Sequence, residues 1–126
     1  MRRLRLAALL LAAALSRSPP AALAHAFLDH ADPSVGATVS SPPAAVTLTF
    51  TEPVEPAFSR LEVFDSEGKE IQAGAIAHPR EDTLSVSLPH LAPGAYEVRW
   101  KVVSIDTHAT EGRFRFSVLA KSLTPK

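Results

Sequence analysis

Asp106 and His108 stand two residues apart in the stretch 100–118, WKVVSIDTHATEGRFRFSV. In an extended chain, side chains at that spacing leave the same face. A carboxylate beside an imidazole makes half of a metal site. His25 supplies the other half if residues 1–24 are removed after Ala24, because it then becomes the first residue. A free N-terminal histidine offers its α-amine and its imidazole Nδ1, and both can chelate one ion. With His108 as a third nitrogen and Asp106 as an oxygen, the set suits Cu(II), which prefers tetragonal N,O coordination and heads the divalent affinity series.

The first 24 residues have the three parts of a secretory signal peptide. Arg2, Arg3 and Arg5 make a basic start, and residues 6–15 form an apolar run too short to span a bilayer. Ala22-Leu23-Ala24 offers small residues at the cleavage positions. Ala24-His25-Ala26 repeats that pattern, so cleavage after Ala26 is the competing expectation, and it would discard His25. Removal of residues 1–24 leaves nine bases against thirteen acids, a net charge of −4 with histidine neutral. That balance argues against a nucleic-acid partner, which wants a basic face. It gives no support to an anionic membrane surface either.

The chain has no cysteine, and Met1 is its single methionine. A processed chain therefore has no soft sulfur ligand for Cu(I). Its domain of about 100 residues must be held by its core alone.

The elements that must position these residues read as β-strands. Val46, Leu48 and Phe50 alternate with threonines, the pattern of a half-buried strand. Glu52-Pro53-Val54-Glu55-Pro56 ends it, because proline cannot continue a central ladder. Leu61 and Val63 alternate with Arg60 and Glu62, as do Leu84, Val86 and Leu88 with serines. Tyr96, Val98, Trp100 and Val102 share one parity, and Phe114, Phe116 and Val118 another. Residues 25–30 read as a first strand, 69–73 as a weak return strand and 75–82 as a loop. Residues 32–36 and 40–43 carry turn chemistry. The expectation is an all-β domain over 25–119. It is a seven-stranded antiparallel Greek-key sandwich or barrel, immunoglobulin-like or cupredoxin-like. A polar tail follows over 120–126.

The inward parity of 96–102 turns polar at Ser104, Asp106 and His108. Val103 and Ile105 are apolar on the other parity, which admits a bulge. In either register Asp106 and His108 fall at the rim of the sandwich. Each part also has a plainer reading. Asp106 and His108 alone could form a hydrogen bond that caps a strand end. His30, His78 and His90 read as solvated, and Glu52 as a turn carboxylate.

Longer patterns carry a resemblance. Pro33-x-x-Gly36, Pro42-Pro43, Val46-x-Leu48-x-Phe50-Thr51-Glu52 and Leu91-x-Pro93-Gly94-x-Tyr96-x-Val98-x-Trp100 run into Ser104-x-Asp106-x-His108-x-x-x-Gly112-x-Phe114-x-Phe116. Together they resemble the CopC copper-resistance family over residues 25–118. The resemblance implies a periplasmic β-domain that binds one Cu(II) ion per chain. Its ligands map to His25, Asp106 and His108, with Glu52 as a possible outer partner. It implies a role in copper buffering or carriage for resistance or homeostasis. It also implies a monomer without a membrane anchor that passes copper to an inner-membrane transporter of the CopD type. The Met-rich Cu(I) segment of some members is missing, so the chain resembles the Cu(II)-only type. Thr107 stands where glycine is frequent and Ala109 where proline is frequent, which bears on the loop's shape. The expectation is a carrier and not an enzyme. Two alternatives remain: a copper histidine-brace oxidative enzyme, and a metal-free immunoglobulin-like interaction module.

Overall fold

A computed structural model describes residues 25–120. The expected signal peptide lies outside the described residues, as does all but the first residue of the expected tail. The strands are β1 (Leu28–Asp32), β2 (Thr38–Val39), β3 (Ala45–Phe50), β4 (Arg60–Phe64), β5 (Ala73–Arg80), β6 (Thr83–Ser87), β7 (Gly94–Val103) and β8 (Ala109–Val118). They form two four-stranded sheets, ordered β1-β3-β6-β5 and β2-β8-β7-β4. The expected β-sandwich is therefore found, with eight strands rather than seven.

Three local expectations are corrected. Residues 75–82 are not a loop, because β5 covers most of them and pairs irregularly with β6. An edge strand tolerates Gly74 and Pro79, because only one side of its ladder is needed. The return expected over 69–73 reduces to one bridge, Phe64↔Glu70. Finally, the two-residue β2 pairs with β8 in parallel, so the second sheet is mixed rather than wholly antiparallel.

Alternation does build the core. Val46, Leu48 and Phe50 of β3 and Leu84 and Val86 of β6 are buried. From the other sheet come Leu61 and Val63, Val98 and Val102, and Phe114 and Phe116. Burial of each such side chain contributes roughly 1.5–3 kcal/mol. Trp100 meets Phe50 edge-on, with ring centroids 5.2 Å apart. It lies across Gly112, its cross-strand partner, where an added Cβ would sit 2.6 Å from the indole. Tyr96 donates its hydroxyl hydrogen bond to the carbonyl of Ala92, four residues upstream, and so pins the turn into β7. This is the tyrosine-corner arrangement of Greek-key sandwiches.

The β7–β8 hairpin is the longest pairing and the one that carries the candidate site. Its register runs unbroken from Gly94↔Val118 to Val103↔Ala109. No bulge shifts it, so the inward parity continues to Ser104, which is 1% exposed. No helix among the described residues is long and apolar enough to cross a membrane.

Candidate metal centre

The turn that closes the hairpin holds Asp106 and His108. Its backbone is fixed by two main-chain bonds, from Ser104 N to His108 O at 2.9 Å and from Thr107 N to Ser104 O at 2.8 Å. Thr107 adopts φ +72°. That left-handed conformation is costly for a β-branched residue and free for glycine. A glycine, which the resemblance leads one to expect at this position, would carry no such cost.

Ser104 is the hub of the turn, a role the sequence did not single out. Its hydroxyl donates to Asp106 Oδ1 in a short hydrogen bond. It also accepts from the main-chain nitrogen of His108 at 3.3 Å. One buried side chain thus holds both the carboxylate and the backbone of the imidazole. The Ser104 hydrogen bond, helped by the neighbouring His108, keeps the Asp106 carboxyl below its ordinary range. Asp106 is therefore ionised at neutral pH.

His108 Nδ1 lies 3.3 Å from Asp106 Oδ1, but the geometry makes this a contact and not a hydrogen bond. The nitrogen is buried and has no hydrogen-bond partner. A buried polar atom without a partner is unusual and costly. Here it faces the Asp106 carboxylate, and only its deprotonated form would carry a lone pair for a ligand.

His25 arrives from the far end of the sequence. Its ring centroid is 4.8 Å from that of His108. Three contacts hold the arm that carries it. Ala26 is fully buried. Thr110 Oγ1 donates to the Ala26 carbonyl at 2.6 Å, and Phe27 N donates to Thr51 Oγ1 at 2.9 Å. Phe27 flanks the histidine, with ring centroids 5.9 Å apart. The clamping residues, Thr51 and Thr110, were also invisible as such in the sequence, since each sits in an ordinary strand-and-turn pattern.

The structure thus brings His25, Asp106 and His108 to one end of the sandwich. It does not preassemble them: among the described residues no three His, Asp or Glu side chains are grouped to hold an ion. Asp106 is turned to Ser104. In the unprocessed chain the His25 main-chain nitrogen is also a peptide amide, which lacks the basic lone pair of an amine. Glu52 forms no hydrogen bond or ion pair among the described residues. Its neighbours reach the site through the backbone, by the bridge Val54↔Ser104 and the bond from Ile105 N to Pro53 O at 3.3 Å.

The remaining histidines lie elsewhere. His30 is exposed, with Nδ1 2.8 Å from Asp29 Oδ2. His78 contacts the carbonyl of Glu81 through Nε2 from the exposed β5. His90 is exposed before Leu91.

Comparison with known proteins gives the chain's family. The CopC domain family matches residues 28–119. Over 102 residues the chain is 37% identical to Protein YobA of Escherichia coli (strain K12), covering 79% of this chain and 82% of that protein. Over 113 residues it is 35% identical to Copper resistance protein C of Xanthomonas campestris pv. juglandis, covering 83% and 88%. Among solved structures, CopC from Methylosinus trichosporium OB3b superposes with a TM-score of 0.74 at 34% identity, covering 80% of this chain and all of that one. From its β-sandwich to its Asp-x-His turn, the chain belongs to the CopC family.

Proposed function

We propose that this protein is an exported copper carrier that binds one Cu(II) ion per chain. The ion is cargo, held by the α-amine and imidazole of His25, the imidazole of His108 and the carboxylate of Asp106. The observation that carries the proposal is the meeting of two imidazoles, 4.8 Å apart, at a buried and unpartnered His108 Nδ1 beside an ionised Asp106. The copper-handling role is supported by the family and by the name of its relative Copper resistance protein C. Nitrogen and carboxylate donors without sulfur support Cu(II) over Cu(I).

Processing after Ala24 belongs to the same reading. Cleavage after Ala26 would remove a fully buried residue and the carbonyl that accepts from Thr110. The folded domain therefore favours keeping Ala26, and with it His25. The carrier is a periplasmic monomer that buffers copper or delivers it to a membrane copper transporter of the CopD type. Nothing in this role calls for turnover: the protein binds, holds and releases an ion.

The experiment is a Cu(II) titration of the processed protein followed by electron paramagnetic resonance, with the N-terminus read by sequencing. The expected spectrum is tetragonal with nitrogen hyperfine structure, at one ion per chain. His108→Ala should lower the affinity by at least a hundredfold, on the order of a lost ligand together with its orienting shell. One added residue before His25 should do comparable harm, because the amine becomes an amide. Unchanged affinity in both variants would overturn the assignment.

A further inference from the structure

The end of the sandwich that carries His25 and His108 is assembled from segments 25–27, 51–59, 81–82 and 104–108. Main-chain bonds tie the other three to the 51–59 link. Thr51 N donates to Phe27 O at 2.8 Å, Val54 N to Glu81 O at 2.9 Å, and Ile105 N to Pro53 O at 3.3 Å.

Two features set this end apart. Five large apolar side chains stand exposed among the described residues, and three of them are here: Phe27 at 58%, Phe58 at 71% and Ile105 at 59%. Val35 and Leu119 belong to the opposite end. Gly36, next to Val35, bonds Arg115, and Leu119 follows Val118, the partner of Gly94 at the start of β7. A ten-residue strand sets the two ends about 30 Å apart. Secondly, the four segments contain five carboxylates, Glu52, Glu55, Glu81, Asp82 and Asp106, and no Lys or Arg. Arg80 adjoins Glu81 at the edge of this end; of the other described bases, Lys69 lies in the link between β4 and β5, and Arg60, Arg99, Lys101, Arg113 and Arg115 alternate onto the outer face of the β4-β7-β8 sheet.

We propose that this end is a docking face for a protein partner whose own surface is basic and carries apolar residues. Exposed aromatic and aliphatic side chains gathered at one end mark an interaction site more often than singly scattered ones do. Buried aromatics are the usual anchors at the centre of an interface. The surrounding carboxylates choose the sign of the partner: they attract a cationic surface, speed its encounter and repel an acidic one. They also disfavour nucleic acid and anionic lipid. A partner seated here covers His25 and His108, so docking and copper transfer share one surface. The inference rests on the carrier reading only for what changes hands, since the docking face is defined by the apolar and acidic residues themselves.

The test uses the processed, isotopically labelled protein without copper. The probe is a short amphipathic helical peptide of Leu and Lys, compared with a Leu/Glu peptide and with phosphatidylglycerol vesicles. Amide shifts on adding the Leu/Lys peptide should be confined to the four segments. Phe58→Ser should weaken that binding about tenfold, the scale of a truncated anchor, while its Cu(II) affinity matches the parent's. The amide spectrum of the variant reports that it is folded. Absence of binding would overturn the proposal. So would shifts on the Arg99 and Arg113 face, equal binding of the Leu/Glu peptide, binding to the vesicles, or undiminished affinity of Phe58→Ser. If the expected shifts occur but the parent takes up no Cu(II), the docking face stands and the carrier reading fails.

Discussion

Replacing Ser104 with alanine tests whether the turn, and not only its ligands, makes the site. The hydroxyl is buried, donates to Asp106 and accepts from His108 N. Removing it frees the carboxylate to rotate and leaves the His108 amide with one partner fewer. Groups that orient metal ligands are worth about 10–100-fold in metal affinity. The Asp106 side chain is 41% exposed, so water replaces part of what is lost. The expected loss of Cu(II) affinity is therefore near the lower end, about tenfold. The acid limb should also shift. Ser104 is the main cause of the lowered Asp106 pKa. Without it the carboxylate takes up its proton at higher pH, and copper should leave earlier on acidification. Fold stability should fall by about 1 kcal/mol for the lost bond to the backbone, a drop in Tm of about 4–8 °C for a domain of this size. The assays are competition against a chromophoric Cu(II) chelator over a pH series, and thermal unfolding by circular dichroism. Ser104→Thr is the control: it keeps the hydroxyl and should hold copper near the parent level. Its extra methyl in a packed site should nonetheless lower Tm. If Ser104→Ala matches the parent in affinity and pH profile, the hub role is wrong.

Three further outcomes follow from the same geometry. Thr110→Val keeps the shape but removes the bond to the Ala26 carbonyl. It should loosen the His25 arm and reduce Cu(II) affinity about fivefold, the equivalent of about 1 kcal/mol, with faster amide exchange at Phe27 as the structural readout. Thr107→Gly relieves a positive φ. The gain, offset by the flexibility of unfolded glycine, should be about 0.5–1 kcal/mol in chemical unfolding. Acidification should release copper before it unfolds the protein. The amine and the imidazoles must be deprotonated to bind, whereas the Asp106 carboxyl titrates below its ordinary 3.8. Because that pKa is depressed, the stability Asp106 contributes is complete above the ordinary value and lost only as pH falls through the lowered one. Simultaneous loss of copper and of ellipticity as pH falls from 7 to about 4 would contradict this order.

The alternating patterns of 46–50, 84–88, 96–102 and 114–118 determined most of the sandwich, because a half-buried strand must repeat every two residues. The polar end of the 96–104 parity showed where the strand stops, but a turn after Ser104, and not a continuing strand, carries Asp106 and His108 to the same end. β5 was not legible: it is an edge strand, mostly exposed, and its Ala, Gly and Pro leave no alternation to read. The parallel β2 was equally hidden, since two residues have no period. The structure alone decided which distant groups meet. Thr110 and Ala26 are 84 residues apart and share one hydrogen bond. The ring of His25 rests against that of His108 because the arm carrying it is clamped by two threonines that could equally have faced solvent. Sequence fixes the chemistry that each side chain can offer. Proximity between segments depends on packing and main-chain pairing, which no local pattern records.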